Sequence, residues 1–398
     1  MDLNASVQAL TTALQSFPKT VSETARLETI SKAKDLVFAL QTPEQHVLQV
    51  SANAMELVAI RTVMRMGVLE VLPKEKETAL ELGVLAEKSG VQEALLERFL
   101  RLLVGTRFIQ QDNAGRYWHS HVSKGYVDGG NAAAWLKGVV YDAVLEGFYQ
   151  YPTAYLDAHP ALKEPHDPTI TPATFVWGKE GENTWQVMAR DYPQKMLNFQ
   201  RGMAMLVDAA PVTGVYDFSQ LVKDGEKDRM VLVDVGGGTG HCVEAILKAH
   251  PDIPAERCMV QDLGHTIEHA RQSETLPKGV QLLEHDFWTP QPVVHAKAYF
   301  MRWIVHDYVD SLSVKILKNI AAVMAKDSVV LIHEAIVPER LSEATMVAGI
   351  MDMFVLNCAG KERTKRGFET LLEQAGLVVR KYWQREGTAA TMIEAVLV

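Results

Sequence analysis

An apolar segment that runs directly into a glycine-rich turn constrains this fold most. Residues 231–235 are apolar except for Asp234, and glycine then occupies positions 236, 237, 238 and 240. Glycine adopts the backbone angles of so tight a turn at little steric cost, so the pattern predicts a strand, a turn and a helix. Ligands of such sheets bind beyond the carboxyl ends of the strands.

The turn lacks the marks of two common nucleotide-binding loops. A dinucleotide-binding loop would place glycine where His241 stands, and a P-loop would place lysine and then serine or threonine near the end of the turn. Asp234, just before the first glycine, suits a cationic ligand better than a pyrophosphate. The turn therefore favours a ligand other than a dinucleotide or nucleoside triphosphate.

Two more acids follow expected strand ends. Asp262 comes after the second strand of the series, and Asp286 comes after the third. A carboxylate at the first position can accept both ribose hydroxyls, and one at the second can accept an adenine amino group. Together with the turn, these acids predict S-adenosylmethionine (SAM) as the cofactor.

The chain after Met230 alternates short apolar runs with amphipathic segments. We expect strands at 231–235, 259–262, 280–284, 298–301 and 328–333, and helices at 242–249, 266–271 and 311–324. This alternation predicts an α/β fold, a Rossmann-like, doubly wound parallel sheet. We place this core at 206–398.

The first 128 residues predict a mostly helical, winged-helix domain. Amphipathic segments at 5–39, interrupted near Pro18, precede a long apolar helix expected over 43–72. Helices follow at 81–89 and 92–105, and extended runs at 108–111 and 117–119 surround a turn. Such a module either binds DNA or packs against another subunit. The apolar helices favour packing and predict a homodimer.

Charge argues against nucleic acid as a partner. Forty basic and 49 acidic residues give a formal net charge of −9, which repels a polyanion. A winged-helix regulator that senses a small molecule is the alternative from another functional class, but it requires a basic recognition face.

Composition excludes several further kinds of site and protein. The three cysteines are scattered, and no set of His, Asp and Glu has metal-ligand spacing, so we expect neither disulfides nor a metal. The N-terminus lacks a basic patch followed by an apolar core, and no window approaches a membrane span in uninterrupted apolar length. We therefore expect a cytoplasmic protein without a membrane partner.

Four motifs resemble the small-molecule O-methyltransferases of the caffeate and flavonoid type, in their fungal branch. They are Asp234 to Gly240, Met301 to Asp307, His333 to Pro338 and Gly360 to Thr364. The resemblance covers essentially the whole chain and implies a class I SAM-dependent enzyme with a winged-helix dimerisation domain. It implies a cofactor site lined by Asp234, Gly236, Gly238, Asp262, Leu263, Asp286, Phe287 and Arg302. Arg302 stands where many members have lysine, near the methionine carboxylate.

Methyl transfer to a hydroxyl benefits from a positioned base, because a free phenol, with a pKa of about 10, is mostly protonated at neutral pH. Histidine can take that proton on one ring nitrogen while a carboxylate on the other fixes its tautomer. The resemblance assigns the base to His306 and the orienting acids to Glu334 and Glu362. His333 is expected on the opposite face of its strand.

The helical insert at 129–205 is rich in tryptophan, tyrosine and methionine, and we expect it to contribute to the acceptor pocket. Methionine and aromatic walls fit a flat, partly apolar aromatic acceptor, such as a polyketide phenol of secondary metabolism. The expected wall residues are Met196, Phe199, Met203, Met351, Phe354 and Asn357.

One alternative keeps the fold and the cofactor but changes the reaction. Some fungal members of this family act as pericyclases or dehydratases and use the bound sulfonium as a fixed charge. We expect such enzymes to alter the region of the catalytic histidine. The presence of His306, Glu334 and Glu362 together favours methyl transfer.

Overall fold

The computed structural model describes residues 3–15, 22–161, 165–203, 210–223, 225–272, 276–384 and 390–398. The chain divides into two compact units. The helical unit comprises Met1–Val21, Glu28–Tyr149 and Trp185–Asp208, and the sheet unit comprises Ser22–Leu27, Gln150–Thr184 and Ala209–Val398. The expected interruption at Pro18 and the expected boundary at 205/206 lie outside the described residues. The boundary at 128/129 stays a prediction.

Helices dominate the chain up to Met203. The α-helices are α1 (Leu3–Gln15), α2 (Glu23–Leu40), α3 (Pro43–Arg65), α4 (Val68–Val71), α5 (Leu82–Ser89), α6 (Glu93–Gly105), α7 (Asn131–Ala134), α8 (Glu146–Gln150), α9 (Leu156–Ala158), α10 (Pro172–Val176), α11 (Thr184–Asp191) and α12 (Pro193–Met203). Trp135–Leu145 and Tyr151–Tyr155 are π-helical, and Lys76–Thr78 and Ser123–Tyr126 are 3₁₀ turns.

The long helix expected over 43–72 is shorter than predicted. Thr42 caps its N-terminus, with Gln45 completing a capping box, and the helix ends at Arg65. Gly67 then adopts a left-handed conformation, with φ of +66°, and starts the short helix α4. Glycine adopts this angle at little steric cost, so the helix can end here. The apolar pattern of the sequence continues through the break, and periodicity therefore does not detect it.

The expected order of two helices and a hairpin is confirmed. Leu96, Leu100 and Leu103 of α6 are fully buried in one apolar core of this unit. Strands β1 (Ile109–Gln111) and β2 (Tyr117–His119) pair antiparallel. This is the helical layout of a winged-helix module.

Helix α3 keeps much of its apolar surface outside that core. Val47, Leu48 and Met55 are 62%, 69% and 55% exposed. Among the described helices, α3 is long enough and apolar enough to cross a membrane. Its most apolar 18-residue stretch has a mean hydropathy of 1.2, and 17% of that stretch is buried. Length and composition alone do not distinguish a lipid partner from a protein partner.

Seven strands form the sheet of the sheet unit. They are β3 (Leu232–Val235), β4 (Cys258–Asp262), β5 (Gln281–Glu284), β6 (Ala298–Arg302), β7 (Val329–Ala335), β8 (Leu377–Gln384) and β9 (Ala390–Leu397). Their order is β5-β4-β3-β6-β7-β9-β8. The first five are parallel neighbours, as predicted, whereas β9 is antiparallel to both β7 and β8.

The predicted parallel sheet is confirmed, and it carries an antiparallel edge that was not predicted. Only residues 385–389 separate β8 from β9, too few for the crossover that parallel strands require. The two strands form a hairpin instead and extend a parallel core with an antiparallel edge, giving a mostly parallel sheet.

Helices cover both faces of this sheet. They are α13 (His241–Ala249), α14 (Gly264–Arg271), α15 (Asp310–Ala321), α16 (Met346–Leu356) and α17 (Lys365–Gln374), with 3₁₀ turns at Phe218–Val222, Ala255–Arg257 and Val305–Asp307. Side chains alternate between two apolar cores. Met301 and Ile332 belong to one core, and Phe300 and Leu331 belong to the other.

Candidate active site

The glycine turn after β3 requires glycine for two separate reasons. Gly236, Gly238 and Gly240 have φ of +73°, +61° and +87°. A Cβ on Gly236 would also lie 2.7 Å from Cδ1 of Ile304, which leaves no room for a side chain. The backbone N–H of Gly236 donates to the carbonyl oxygen of Gln261 at 2.8 Å, so the turn is anchored to β4.

Asp234 lies buried beneath this turn. A Cβ on Gly237 would come within 2.5 Å of its carboxylate, and the carboxylate oxygen Oδ2 has no hydrogen-bond partner among the described residues. Burial and the nearby Asp262 raise the pKa of Asp234 to about 7, although Arg302 opposes them. A cationic ligand would favour the ionised carboxylate here.

Asp262 is the last residue of β4, and both of its carboxylate oxygens accept backbone N–H groups. Oδ2 accepts the N–H of Gly238 at 2.9 Å, and Oδ1 accepts the N–H of Leu263 at 2.8 Å. Leu263 is 45% exposed and stands at the N-terminus of α14. The structure thus brings the predicted ribose-binding acid directly against the glycine turn.

Asp286 and Phe287 follow β5 at the same edge of the sheet. The carboxylate of Asp286 accepts the N–H of Trp288 at 3.0 Å. The ring of Phe287 packs against Tyr308, with centroids 6.0 Å apart, and lies 3.7 Å from a Cβ built on Gly236. Phe287 therefore contributes an apolar wall beside the turn.

Arg302 ends β6 and contacts the helix that follows the turn. Its Nη1 lies 3.2 Å from Nε2 of His241, and its Nη2 donates to the carbonyl oxygen of Ala210 at 3.1 Å. Burial, reinforced by this guanidinium, lowers the pKa of His241 to about 4. His241 is thus held neutral, and Arg302 places a cation beside the first residue of α13.

His306 lies in the short 3₁₀ turn just beyond β6. Trp303 reverses the chain with a φ of +55°, uncommon for a residue with a large side chain. Oε1 of Glu334 then accepts three successive backbone N–H groups, those of Ile304, Val305 and His306, at 3.1, 2.6 and 3.2 Å. Glu334 thus holds the backbone of the histidine rather than its ring.

The imidazole of His306 lies between two other carboxylates. Its Nδ1 is 2.7 Å from Oε1 of Glu362, and its Nε2 is 3.6 Å from Oδ1 of Asp307. Burial alone would lower the pKa of His306, but Glu362 and Asp307 outweigh burial and raise it to about 10. Burial raises the pKa of Asp307 to about 6 and that of Glu334 to about 7.

The loop carrying Glu362 is fastened to the histidine turn. The N–H of Lys361 donates to the carbonyl oxygen of His306 at 2.7 Å, and a Cβ on Gly360 would lie 2.4 Å from that oxygen. The buried guanidinium of Arg363 donates to the carbonyl oxygens of Val305 and Tyr308 at 3.0 and 2.7 Å. Gly360 and Arg363 are therefore required for the contact between the two loops.

The strand before this loop is also joined to it. Ile336 forms a parallel bridge with Arg363, and the N–H of Val337 donates to the carbonyl oxygen of Arg363 at 3.0 Å. The segment between β7 and Glu362, which contains α16, therefore begins and ends at neighbouring points.

Sequence reasoning missed the roles of three residues in its own motifs. Asp307 stands at the second ring nitrogen, and Arg363 joins the loops. Trp303 packs on His306, with ring centroids 5.1 Å apart, and its buried Nε1–H has no partner among the described residues. Their positions within the recognised motifs were the available signal, but their geometry depends on the reversal at Trp303.

The predicted acceptor residues fall into two groups. Met196, Phe199 and Met203 belong to α12 in the helical unit, where the ring of Phe199 packs against Trp185 at 5.2 Å. The other three, in or just after α16, belong to the sheet unit: Met351, Phe354 and Asn357. Within the ranges that the structure describes, no three His, Cys, Asp or Glu side chains are grouped as metal ligands.

The arrangement fits a cationic nucleoside cofactor. Buried carboxylate oxygens without partners in the described structure remain on Asp234, Glu334 and Glu362, and each would be stabilised by a nearby positive charge. The turn, Asp262 and Asp286 would hold the nucleoside, and Arg302 would attract a carboxylate group.

Comparison with known proteins identifies the family of both regions. Residues 172–378 match the O-methyltransferase domain, and residues 48–129 match the O-methyltransferase dimerisation domain. The methyltransferase pvhD of Talaromyces variabilis is 30% identical, covering 86% of this chain and 93% of its own. The O-methyltransferase hmp5 of Hypomyces subiculosus is also 30% identical, covering 85% and 83% respectively.

Solved structures share the fold along the whole chain. OxaC is 25% identical, with a TM-score of 0.88, covering 100% of this chain and 99% of its own. LepI, solved with SAM, is 23% identical, with a TM-score of 0.84 and complete coverage of both chains. In this chain the family's dimerisation domain precedes the O-methyltransferase domain. The chain thus belongs to the O-methyltransferase family of SAM-dependent enzymes and is related to fungal natural-product methyltransferases.

Proposed function

We propose that this enzyme methylates a phenolic or enolic hydroxyl of a small aromatic or polyketide metabolite, with His306 as the general base. The observation that carries the proposal is the 2.7 Å contact between Nδ1 of His306 and Glu362 in a buried site. A carboxylate there fixes the ring's tautomer and stabilises the imidazolium after proton uptake.

SAM supplies the electrophilic methyl group when bound. The chain's own residues then have three tasks: to hold the cofactor, to orient the acceptor hydroxyl and to take its proton. Proximity of this kind contributes roughly 7–11 kcal/mol in well-oriented systems, and a general base adds about 10²- to 10⁴-fold. His306 needs a neutral ring to accept the proton.

The neighbouring carboxylates determine the pH at which the ring of His306 becomes neutral. Glu362 and Asp307 raise the pKa of His306 to about 10 against the effect of burial, so the ligand-free site favours the imidazolium. A cationic ligand among these carboxylates lowers that pKa, because it competes with the ring proton for the same negative charges. Cofactor binding and base formation are therefore favourable together.

The acceptor side of the proposal rests on the methionine and aromatic residues of α16, in the same unit as His306. The fungal relatives named as a methyltransferase and an O-methyltransferase support transfer to a hydroxyl. The dimerisation domain and the exposed apolar residues of α3 support a homodimer. An acidic chain with net charge −9 makes nucleic acid an unsuitable partner.

A pericyclase or dehydratase is the alternative function. A solved structure titled as a pericyclic reaction enzyme shares the fold, at 23% identity and a TM-score of 0.83, which is a likeness of fold alone. The intact His306 and Glu362 pair favours methyl transfer over a pericyclic step, because transfer from a hydroxyl requires a proton acceptor whereas a pericyclic step that uses SAM only as a fixed charge does not.

The test is to incubate the enzyme with SAM and a panel of phenolic polyketides and to follow S-adenosylhomocysteine (SAH) and product mass together. A product whose mass exceeds that of the acceptor by one CH₂, formed in step with SAH, supports methyl transfer. His306→Ala is expected to lose about 10²- to 10⁴-fold in rate while SAM affinity stays near normal. His269→Ala, an exposed histidine of α14, is the matched control.

A His306→Ala enzyme with wild-type turnover would contradict the assignment of the base. Conversion of a polyene or quinone methide precursor without SAH would identify the alternative reaction.

A further inference from the structure

A cavity of about 760 Å³ lies wholly within the helical unit, apart from all the predicted site residues. Its walls come from the C-terminal end of α3, from α7 and the turn before it, from the π-helical segment Trp135–Leu145 and from α12. Its volume is that of a typical small-molecule site. We call it the basic cavity, after four lining residues: Arg61, Arg65, Lys137 and Arg201.

These four cations are not engaged by carboxylates of the residues that the structure describes. Within the described part of the chain, none of them forms an ion pair, and Arg61 makes a cation–π contact with Tyr141, 5.7 Å from the ring centroid. Basic side chains elsewhere in the helical unit do pair, as Lys195 does with Glu146 and Lys124 with Glu75. The four cations of the cavity are thus not neutralised by ion pairs of their own.

Two carboxylates line the same cavity, Glu70 and Asp128. Oε1 of Glu70 is engaged by the backbone N–H of Asp128 at 3.0 Å, an arrangement that fixes the turn at the cavity's edge. Four cations against two anions leave a surplus of two positive charges in a chain whose net charge is −9. A concave positive surface on an acidic protein concentrates anions.

The cavity lies on the side of α12 away from its predicted acceptor residues. At about 100° per residue, Met196, Phe199 and Met203 share one stripe of that helix. Asn198 and Arg201, which line the cavity, lie on the opposite stripe. One helix thus separates the basic cavity from the expected acceptor wall.

We propose that the basic cavity binds a small organic anion bearing carboxylate or phosphate groups, at a site separate from the methyl-transfer site. Guanidinium groups supply planar, fork-shaped donors that match these oxyanions, and Met64, Ala133 and Ala134 supply apolar wall for a carbon skeleton. An anion held between α3 and α12 stabilises the helical unit.

The experiment measures binding of citrate and of inorganic pyrophosphate to the full-length protein by calorimetry, with SAH present at saturation so that the cofactor site is filled. We expect at least one probe to bind with a Kd of about 1 mM or tighter, and binding to weaken as salt rises. The double variant Lys137→Gln with Arg201→Gln should weaken binding at least about tenfold.

The matched control is Lys88→Gln with Arg98→Gln, which removes two exposed positive charges of the same unit that do not line the cavity. It should leave the affinity within about twofold of wild type, since distant surface charges are screened. Absence of binding by both probes, or equal losses in the two double variants, would overturn the proposal. Thermal unfolding of each variant without ligand separates loss of binding from loss of fold.

Discussion

One carboxylate oxygen of Glu334 accepts the backbone N–H of His306 at 3.2 Å, while the imidazole of that histidine is held 2.7 Å from Glu362. Glu334 therefore fixes where the histidine turn lies, and Glu362 fixes how the ring is oriented and charged. Substitution of these two acids should affect different measurable quantities.

Glu362→Gln removes the charge beside Nδ1 and keeps the shape. Because Glu362 is the principal group that raises the pKa of His306 against burial, that pKa should fall. The acid limb of the kcat/KM profile for SAH formation then moves to lower pH, and the plateau drops by about 10²-fold or more as the imidazolium loses its counter-charge. A profile that keeps both its midpoint and its plateau would exclude Glu362 as the orienting acid.

Glu334→Ala should act chiefly on stability. It leaves the N–H groups of Ile304, Val305 and His306 without their acceptor, and each buried unpaired group costs about 1–3 kcal/mol. Chemical denaturation should show a loss of this order, whereas Glu334→Gln, which retains a carbonyl oxygen, loses less. Equal losses in the two variants would show that the acceptor role is not what matters.

Cofactor affinity should depend on pH through the buried acids. Folding raises the pKa of Asp234 and of Glu334 to about 7, so both carboxyl groups are largely protonated below that pH. A cation favours the ionised carboxylates and the neutral ring of His306, whose pKa is about 10; SAM affinity should therefore increase as pH rises through about 7 and increase further towards about 10. SAH has the same amino acid and nucleoside groups without the sulfonium charge, and calorimetry should show a weaker pH dependence for it.

Gly360→Ala should separate the loop that carries Glu362 from the turn that carries His306. The new Cβ would lie 2.4 Å from the carbonyl oxygen of His306, closer than any tolerated contact. We expect a loss of methylation of about tenfold or more, since small displacements of a base are costly. Gly105→Ala, which meets nothing within 4 Å, is the control and should keep full activity.

Charges on α3 should dissociate the proposed dimer. Val47→Asp with Leu48→Asp places two carboxylates on residues that are 62% and 69% exposed in the single chain. Light scattering should then give 44.2 kDa, compared with twice that mass for the wild type. Val84→Asp, at an exposed apolar residue of α5, should stay dimeric. A wild-type protein that already scatters as a monomer would contradict the proposal.

Periodicity predicted the elements that local sequence determines. The five parallel strands and the helices α13, α14 and α15 lie within a few residues of the expected positions, because buried strands and amphipathic helices carry distinct patterns. The hairpin of β8 and β9 was not predicted, and the break at Gly67 was hidden within a continuous apolar pattern.

The residues of the site could be named from motifs, but their contacts could not. His306 and Glu362 are 56 residues apart, and their contact depends on Arg363 and Gly360 joining two loops. The position of Glu334 at backbone amides follows from the reversal at Trp303. Such geometry is decided by tertiary packing, which a local pattern does not contain.

The bridge between Ile336 and Arg363 closes the segment that contains α16 into a loop with a fixed neck. Glu362 stands at that neck, whereas Met351 and Phe354 lie out along the loop. If the proposed roles hold, substitutions, insertions or deletions in the loop reshape what the enzyme accepts without moving the proposed base. One inherited pair of His306 and Glu362 would in this way serve many different acceptors as the family diversifies.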